Sequence, residues 1–351
     1  MKRLGELFML GFMGENLPFV DAWAREEGLG GVILFGRNLG APQAIAALTD
    51  RLRRLTPDLP PLIAVDQEGG RVARLGDPFT AWPPARALGT AKSEEFAFQV
   101  GQAIGTELAG GGFTMDMAPV LDVDTNPANP IIGDRSFGPD PALVGRLGAA
   151  FADGLAEAGV LAVGKHFPGH GDTAADSHVT LPVVSHGRER LLSVEVAPFR
   201  AAAPHLAAIM TAHVLYPAFD PEHPASLSAV ILTDLLRRGI GYDGVVISDD
   251  MEMAGIAERW PAGEAACRFL QAGGDLVLVC HRPDVQREAL ETVRLAAARG
   301  EIPAARLEEA RARIRRARAR ATVPRPRPPL PGPDGFPAHR ALARRLTSLT
   351  P

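Results

Sequence analysis

The sequence predicts an α/β fold: a single (β/α)8 TIM-like barrel with a C-terminal helical and proline-rich extension. Three observations carry that expectation. Short apolar runs alternate with longer amphipathic stretches along most of the chain. The runs are too apolar to be half-exposed, which suits parallel strands covered by helices. They number eight, the count that a closed barrel of this type needs. A doubly wound sheet is the alternative. Against it, no glycine-rich phosphate fingerprint follows an early strand, since DQEGGR at 66–71 lacks the GxGxxG spacing and opens no evident helix.

In order, the strand candidates are LFMLGF (7–12), GVILF (31–35), LIAVD (62–66), FTMDMA (113–118), VLAVGKH (160–166), AAIMTAH (207–213), GVVISDD (244–250) and DLVLVC (275–280). Helical patterns fall between them, at Gln43–Arg54, Glu94–Leu108, Pro141–Ala158, Arg188–Ala203, Ser228–Arg237, Gly263–Ala272 and Asp284–Arg299. Leu143, Leu147, Phe151 and Leu155, spaced by four, mark one buried helix face. Two helices follow the last strand, the second strongly Arg-rich (Leu307–Arg320), and then VPRPRPPLPGP at 323–333. The expected division is a catalytic barrel over 1–322 and a proline-rich extension over 323–351. The Arg-rich helix reads either as a solvated face or as a patch for an anionic partner.

Composition narrows the function classes. Charged residues at 22% and apolar residues at 46% are ordinary for a globular chain, and 37 Gly with 31 Pro fall short of low complexity. A net charge of −4 leaves no electrostatic footprint for nucleic acid. Cys267 and Cys280 make neither a disulfide framework nor a CxxC zinc pattern. The N-terminal MKRLGELFMLGFMG resembles a short signal peptide, but Glu6 interrupts it and no clean cleavage site follows. No apolar run is long enough to span a bilayer, so neither a membrane nor a nucleic-acid partner is expected, and a cytoplasmic location is. Lysine occurs only at Lys2, Lys92 and Lys165.

Active-site residues of such barrels come from the C-terminal ends of the strands. The unusual polar residues lie there: Asp66, Asp116, Lys165 with His166, His213, and Asp249 with Asp250. An ionisable group closing an apolar strand must be paired or solvated in a cleft, because burying it alone is costly. Any one of them could simply cap a turn; five strand ends together are harder to explain that way. The densest stretch, KHFPGHGDTAADSH at 165–178, holds three His, two Asp and one Lys. It reads as a metal site, as a self-bonded polar loop, or as an acid/base pair formed by Asp176 and His178 with Lys165 and His166 binding a polar substrate. The adjacent Lys165 argues against a metal, and no metal or other cofactor is expected. Asp249 supplies a carboxylate able to attack an electrophilic carbon. A carboxylate nucleophile plus an acid/base group is the minimum equipment of a retaining glycosidase.

KHFPGHGDT with DSH (165–178), AVDQEGGRVAR (64–74), IIGDRSFG (131–138), MTAHV (210–214) and GVVISDDMEM (244–253) together resemble the family 3 glycoside hydrolases. More narrowly, they resemble the bacterial β-N-acetylhexosaminidases of peptidoglycan recycling. The resemblance implies that Asp249 is the nucleophile, His178 the acid/base and Asp176 the carboxylate that orients it. It implies sugar contacts from Asp66, Arg74, Arg135, Lys165 and His166, and a small N-acetylglucosamine-containing carbohydrate as the partner. Two-domain relatives take an acid/base Glu from a second domain, whereas the segment after the eighth strand here is too short for one. Phosphorolysis by the same residues, a metal-dependent hydrolase using His166, His170, His178 and Asp172, and a non-catalytic sugar-binding module are the rival readings. Met117, Met251 and Met253 read as core or as a pocket for an acetamido group, His170 and Asp172 as loop-shaping, and His213 as either a core or a supporting group.

Overall fold

The computed structural model describes residues 3–14, 17–174, 180–323 and 325–349. The barrel strands are β1 (Phe8–Leu10), β2 (Gly31–Leu34), β3 (Leu62–Val65), β6 (Met115–Asp116), β7 (Leu161–Phe167), β8 (Ala208–Thr211), β11 (Val245–Asp250) and β12 (Leu276–Val279). They close in that order, every neighbour parallel, with β12 returning to β1. Two hairpins lie outside the barrel: β4 (Gln67–Gly69) with β5 (Val72–Ala73), and β9 (Leu215–Tyr216) with β10 (Asp220–Pro224). All eight predicted strands are present, and nearly all their residues are buried, as strands with side chains packed inside and helices outside must be.

Local chemistry sets the helix boundaries. Ser93 caps helix Glu94–Gly111 by accepting from the Phe96 amide, and Asp140 caps Pro141–Glu157 ahead of a proline at the first helical position. The predicted helix over Arg188–Ala203 is two helices, Arg188–Ser193 and Ala197–Ala202. Pro198 explains the break: it donates no amide, and its ring crowds the carbonyl of residue 194, where the first helix ends. The predicted Ser228–Arg237 helix is a π-helical segment, Val230–Ile240, closed by Gly241 at φ 81°. The DQEGGR stretch forms the tight β4–β5 hairpin.

The Arg-rich helix, Ala304–Ala321, is neither a bare solvated face nor a wholly free cationic one. Arg306 and Arg313 reach Asp275, just before β12, where Arg237 also binds. Arg315 meets Glu6 at 3.0 Å, ahead of β1, and Arg318 donates to the carbonyls of Leu59 and Pro60, ahead of β3. The helix thus straps the N-terminal openings of several strands. The extension packs as well. Arg325 donates to the Glu157 carbonyl and Arg327 to the Gly110 carbonyl, both at helix C-termini, where a cation is favoured. A further helix, Pro337–Thr347, joins His339 to the buried Glu107 at 2.7 Å. Its Leu346 is fully buried, on a small void lined also by Glu68, Arg135 and Phe137.

Candidate active site

Each polar strand end has a defined neighbour. Asp66 follows β3, and its carboxylate accepts from Lys165 Nζ at 2.9 Å and faces an Arg74 guanidinium nitrogen at 3.5 Å. Lys165 stands on β7 and is 2% exposed. A buried ammonium is tolerable only with strong partners, and Lys165 has two: Asp66, and Glu68 at 2.6 Å. Burial alone would favour losing its proton, yet these carboxylates outweigh burial and raise its pKa. Glu68, on β4, also receives two parallel bonds from Arg135, Nε to Oε2 and Nη2 to Oε1, each 2.8 Å. That bidentate fork is the geometry guanidinium and carboxylate are shaped for. Burial opposes the Glu68 charge, but Lys165 and Arg135 together hold its carboxyl at about 2.

A second buried carboxylate organises the histidines. Asp122 accepts from the His166 ring at 2.7 Å and from the backbone amides of His166 and His170, at 3.2 and 2.7 Å. Burial opposes its charge, while His166 and His170 lower its pKa. The loop from Gly169 onward is tied down by Asn129, which donates to the His170 and Gly171 carbonyls. At Gly171 the approach leaves no room for a side chain, because a Cβ would lie 1.8 Å from the Val123 carbonyl oxygen. Gly89 serves the other loop: its missing Cβ would stand 1.5 Å from the Phe137 carbonyl oxygen, next to the turn that presents Arg135.

Asp249 stands near the end of β11, and one of its oxygens accepts from the Asp250 amide at 2.9 Å. Asp250 points elsewhere, accepting from the amides of Cys280 and Glu252 and facing His281 at 3.3 Å. His213 is fully buried between Ser226 and the Asp250 carbonyl, so it props the end of β11.

These elements enclose a cavity of about 460 Å³ at the C-terminal mouth of the barrel. Asp66, Arg74, Arg135, Lys165, His166 and Asp249 all line it. Asp176 and His178 lie outside the described residues. Glu68, Glu252, His281 and Phe35 are among the lining residues that the sequence reading does not single out, and His170, read from the sequence as loop-shaping or as a ligand of the rival metal site, lines the cavity too. Glu68 carries a signal, since it lies two residues beyond Asp66. Of the three methionines read from the sequence, Met253 lines the cavity, as Met210 also does, whereas Met117 and Met251 are fully buried. Asp116, one of the strand-end polar residues, is fully buried and accepts from the Gln67 amide; burial raises its pKa well above the usual range. Asp172 binds Thr125 and His186 and so shapes its loop.

The cavity is two-sided. Strands β3 and β7, with the loop after β6, supply an ionic wall dense in hydroxyl-binding donors and acceptors. Strand β11 supplies a carboxylate at the floor, and the ends of β2 and β12 supply Phe35 and His281, whose rings lie 5.7 Å apart. Such a site can grip a polyhydroxylated ring and place a nucleophilic oxygen beside one of its carbons. The profile described as Glycosyl hydrolase family 3 N terminal domain matches residues 2–317. The chain belongs to glycosyl hydrolase family 3. Among relatives in that family, a beta-hexosaminidase of Thiobacillus denitrificans is 44% identical over 269 residues, which cover 75% of this chain and 74% of its own. A family 3 beta-N-acetylglucosaminidase structure from a Paenibacillus species superposes with a TM-score of 0.93 at 40% identity, covering 99% of this chain and 68% of that one. The structure of NagZ from Neisseria gonorrhoeae, in complex with N-trifluoroacetyl-D-glucosamine, superposes with a TM-score of 0.81 at 33% identity over 100% of both chains. Among the described residues, no helix is long and apolar enough to cross a membrane.

Proposed function

We propose that the chain is a retaining exo-β-N-acetylhexosaminidase that removes terminal β-linked N-acetylglucosamine from peptidoglycan-derived or related oligosaccharides. The observation that carries the reading is the meeting, in one cavity of about 460 Å³, of Asp249 with the Asp66–Lys165–Glu68–Arg135 ionic wall. The relatives named above as beta-N-acetylglucosaminidase and beta-hexosaminidase support the substrate class.

In this mechanism Asp66, Lys165, Arg74, Arg135 and His166 bind the sugar hydroxyls and orient C1 toward Asp249. The Asp249 carboxylate attacks C1 while His178 protonates the departing oxygen, giving a glycosyl ester with inverted configuration. His178, now neutral, takes a proton from water, which attacks C1, frees Asp249 and restores the β configuration. Asp176 orients the imidazole. Acid/base assistance of this kind is worth roughly 10²–10⁴-fold.

Asp249→Ala is expected to abolish turnover of an aryl N-acetyl-β-glucosaminide, and a slow fluorinated glycoside is expected to label the peptide 244–253 by mass spectrometry. Label on any other peptide would relocate the nucleophile. A panel of aryl β-glycosides differing only at the 2-substituent tests the substrate class, with the acetamido member expected to be turned over fastest.

A further inference from the structure

A second cavity, of about 480 Å³, lies on the opposite, N-terminal side of the barrel. It is bounded by the approaches to β8 and β11 and by one stripe of the helix Ala304–Ala321. Four arginines line it: Arg200, Arg313, Arg316 and Arg320. The last three are spaced by three and four along the helix and so share one face. Asp243 is the one acidic group in the lining, and Arg313 and Arg316 occupy its two oxygens at 2.9 Å each. Arg313 is further consumed by Asp275 and Glu309. Arg200 and Arg320 are different: neither meets a carboxylate or a hydrogen-bond acceptor among the described residues, while most other arginines of that helix do. Tyr242, 5% exposed, closes the floor.

Helix C-termini favour basic residues for electrostatic reasons of their own, and that explains isolated arginines at this end of the barrel. It does not explain why four of them surround one concavity with a single, already occupied carboxylate. Planar guanidinium groups lining one concavity from two helices, Ala197–Ala202 and Ala304–Ala321, fit an oxyanion with several oxygens, which they can chelate by paired N–H donors. We propose that this cavity is a binding site for a diphosphate-type oxyanion, held by Arg200, Arg316 and Arg320. The site is independent of the hydrolase reading, because it shares no residue with the sugar-binding cavity.

The test is isothermal titration of inorganic pyrophosphate into the whole chain at low ionic strength. Excess N-acetylglucosamine is present to occupy the other cavity. Saturable binding to a single site is expected, weakening as salt is added. Arg200→Glu and Arg320→Glu should each weaken it by roughly tenfold or more, the loss of one charge-assisted contact. Both side chains are exposed, so the variants should keep the wild-type melting temperature and the wild-type rate on an aryl N-acetyl-β-glucosaminide. No saturable binding, or binding unchanged in both variants, would overturn the proposal. So would binding abolished by N-acetylglucosamine, which would put the oxyanion in the sugar-binding cavity.

Discussion

Glu68 makes no direct claim on a substrate in the proposed mechanism, yet it holds two groups that do. Lys165 and Arg135 are both cations with little exposed surface, and the same carboxylate fixes both. Replacing it by glutamine keeps the shape and removes the charge, so Lys165 retains only Asp66 and Arg135 loses its fork. Charge-assisted hydrogen bonds are worth about 1.5–3 kcal/mol each. Glu68→Gln is therefore expected to lower kcat/KM by roughly 10- to 100-fold, mainly through KM, measured on an aryl N-acetyl-β-glucosaminide. Glu68→Ala, which also opens a hole beside Arg135, should be worse. The sequence exposes Asp66, Lys165 and Asp249 because each closes an apolar run, where a charge stands out. Glu68 and Asp122 do not stand out that way. Glu68 sits in a short polar hairpin and Asp122 in a loop, and what makes them matter is a partner far along the chain, His166 being 44 positions from Asp122.

Among the elements, Asp275 is where the Arg-rich helix takes hold. Its carboxylate is fully buried and accepts from Arg237, Arg306 and Arg313 and from the Val246 amide. Removing it strands guanidinium groups in a poorly hydrated place, which costs about 3–5 kcal/mol for a buried ion pair. Asp275→Ala is expected to lose stability of that order in urea unfolding followed by circular dichroism. Ala312→Gln, on the exposed side of the same helix, should change stability by less than about 0.5 kcal/mol. The helical period of 307–320 is visible in the sequence, as is its excess of arginine. Its role is not, because the acceptors (Glu6, Leu59, Asp243 and Asp275) belong to segments that only barrel closure brings together. The break at Pro198 could have been anticipated from the proline alone.

For the molecule as a whole, acid sensitivity follows from its buried histidines. Burial, then the neighbouring His166, pulls the His170 pKa down to about 4, against the pull of Asp122. The unfolded chain then binds a proton near pH 6.5 that the folded chain refuses until about pH 4, so stability falls as pH drops through that window. This group alone predicts a loss of roughly 2 kcal/mol between pH 7 and pH 5. His170→Gln should flatten the melting temperature across that range relative to wild type, whatever its value at pH 7. Glu68 extends the same acid limb to lower pH: held at about 2, its ionised form stabilises the fold above the ordinary glutamate range, and that contribution is lost as pH falls from there toward 2. Closure into eight parallel strands is legible from the alternation of apolar and amphipathic stretches; the order of the strands around the barrel is simply chain order, which is why that reading succeeds.

The burial of Leu346 has a practical corollary. The same small void is lined by Leu346 together with Glu68 and Arg135. Trimming the final helical turn is therefore expected to loosen the packing behind Glu68 and Arg135, and steady-state kinetics of the shortened chain should show a raised KM on an aryl N-acetyl-β-glucosaminide.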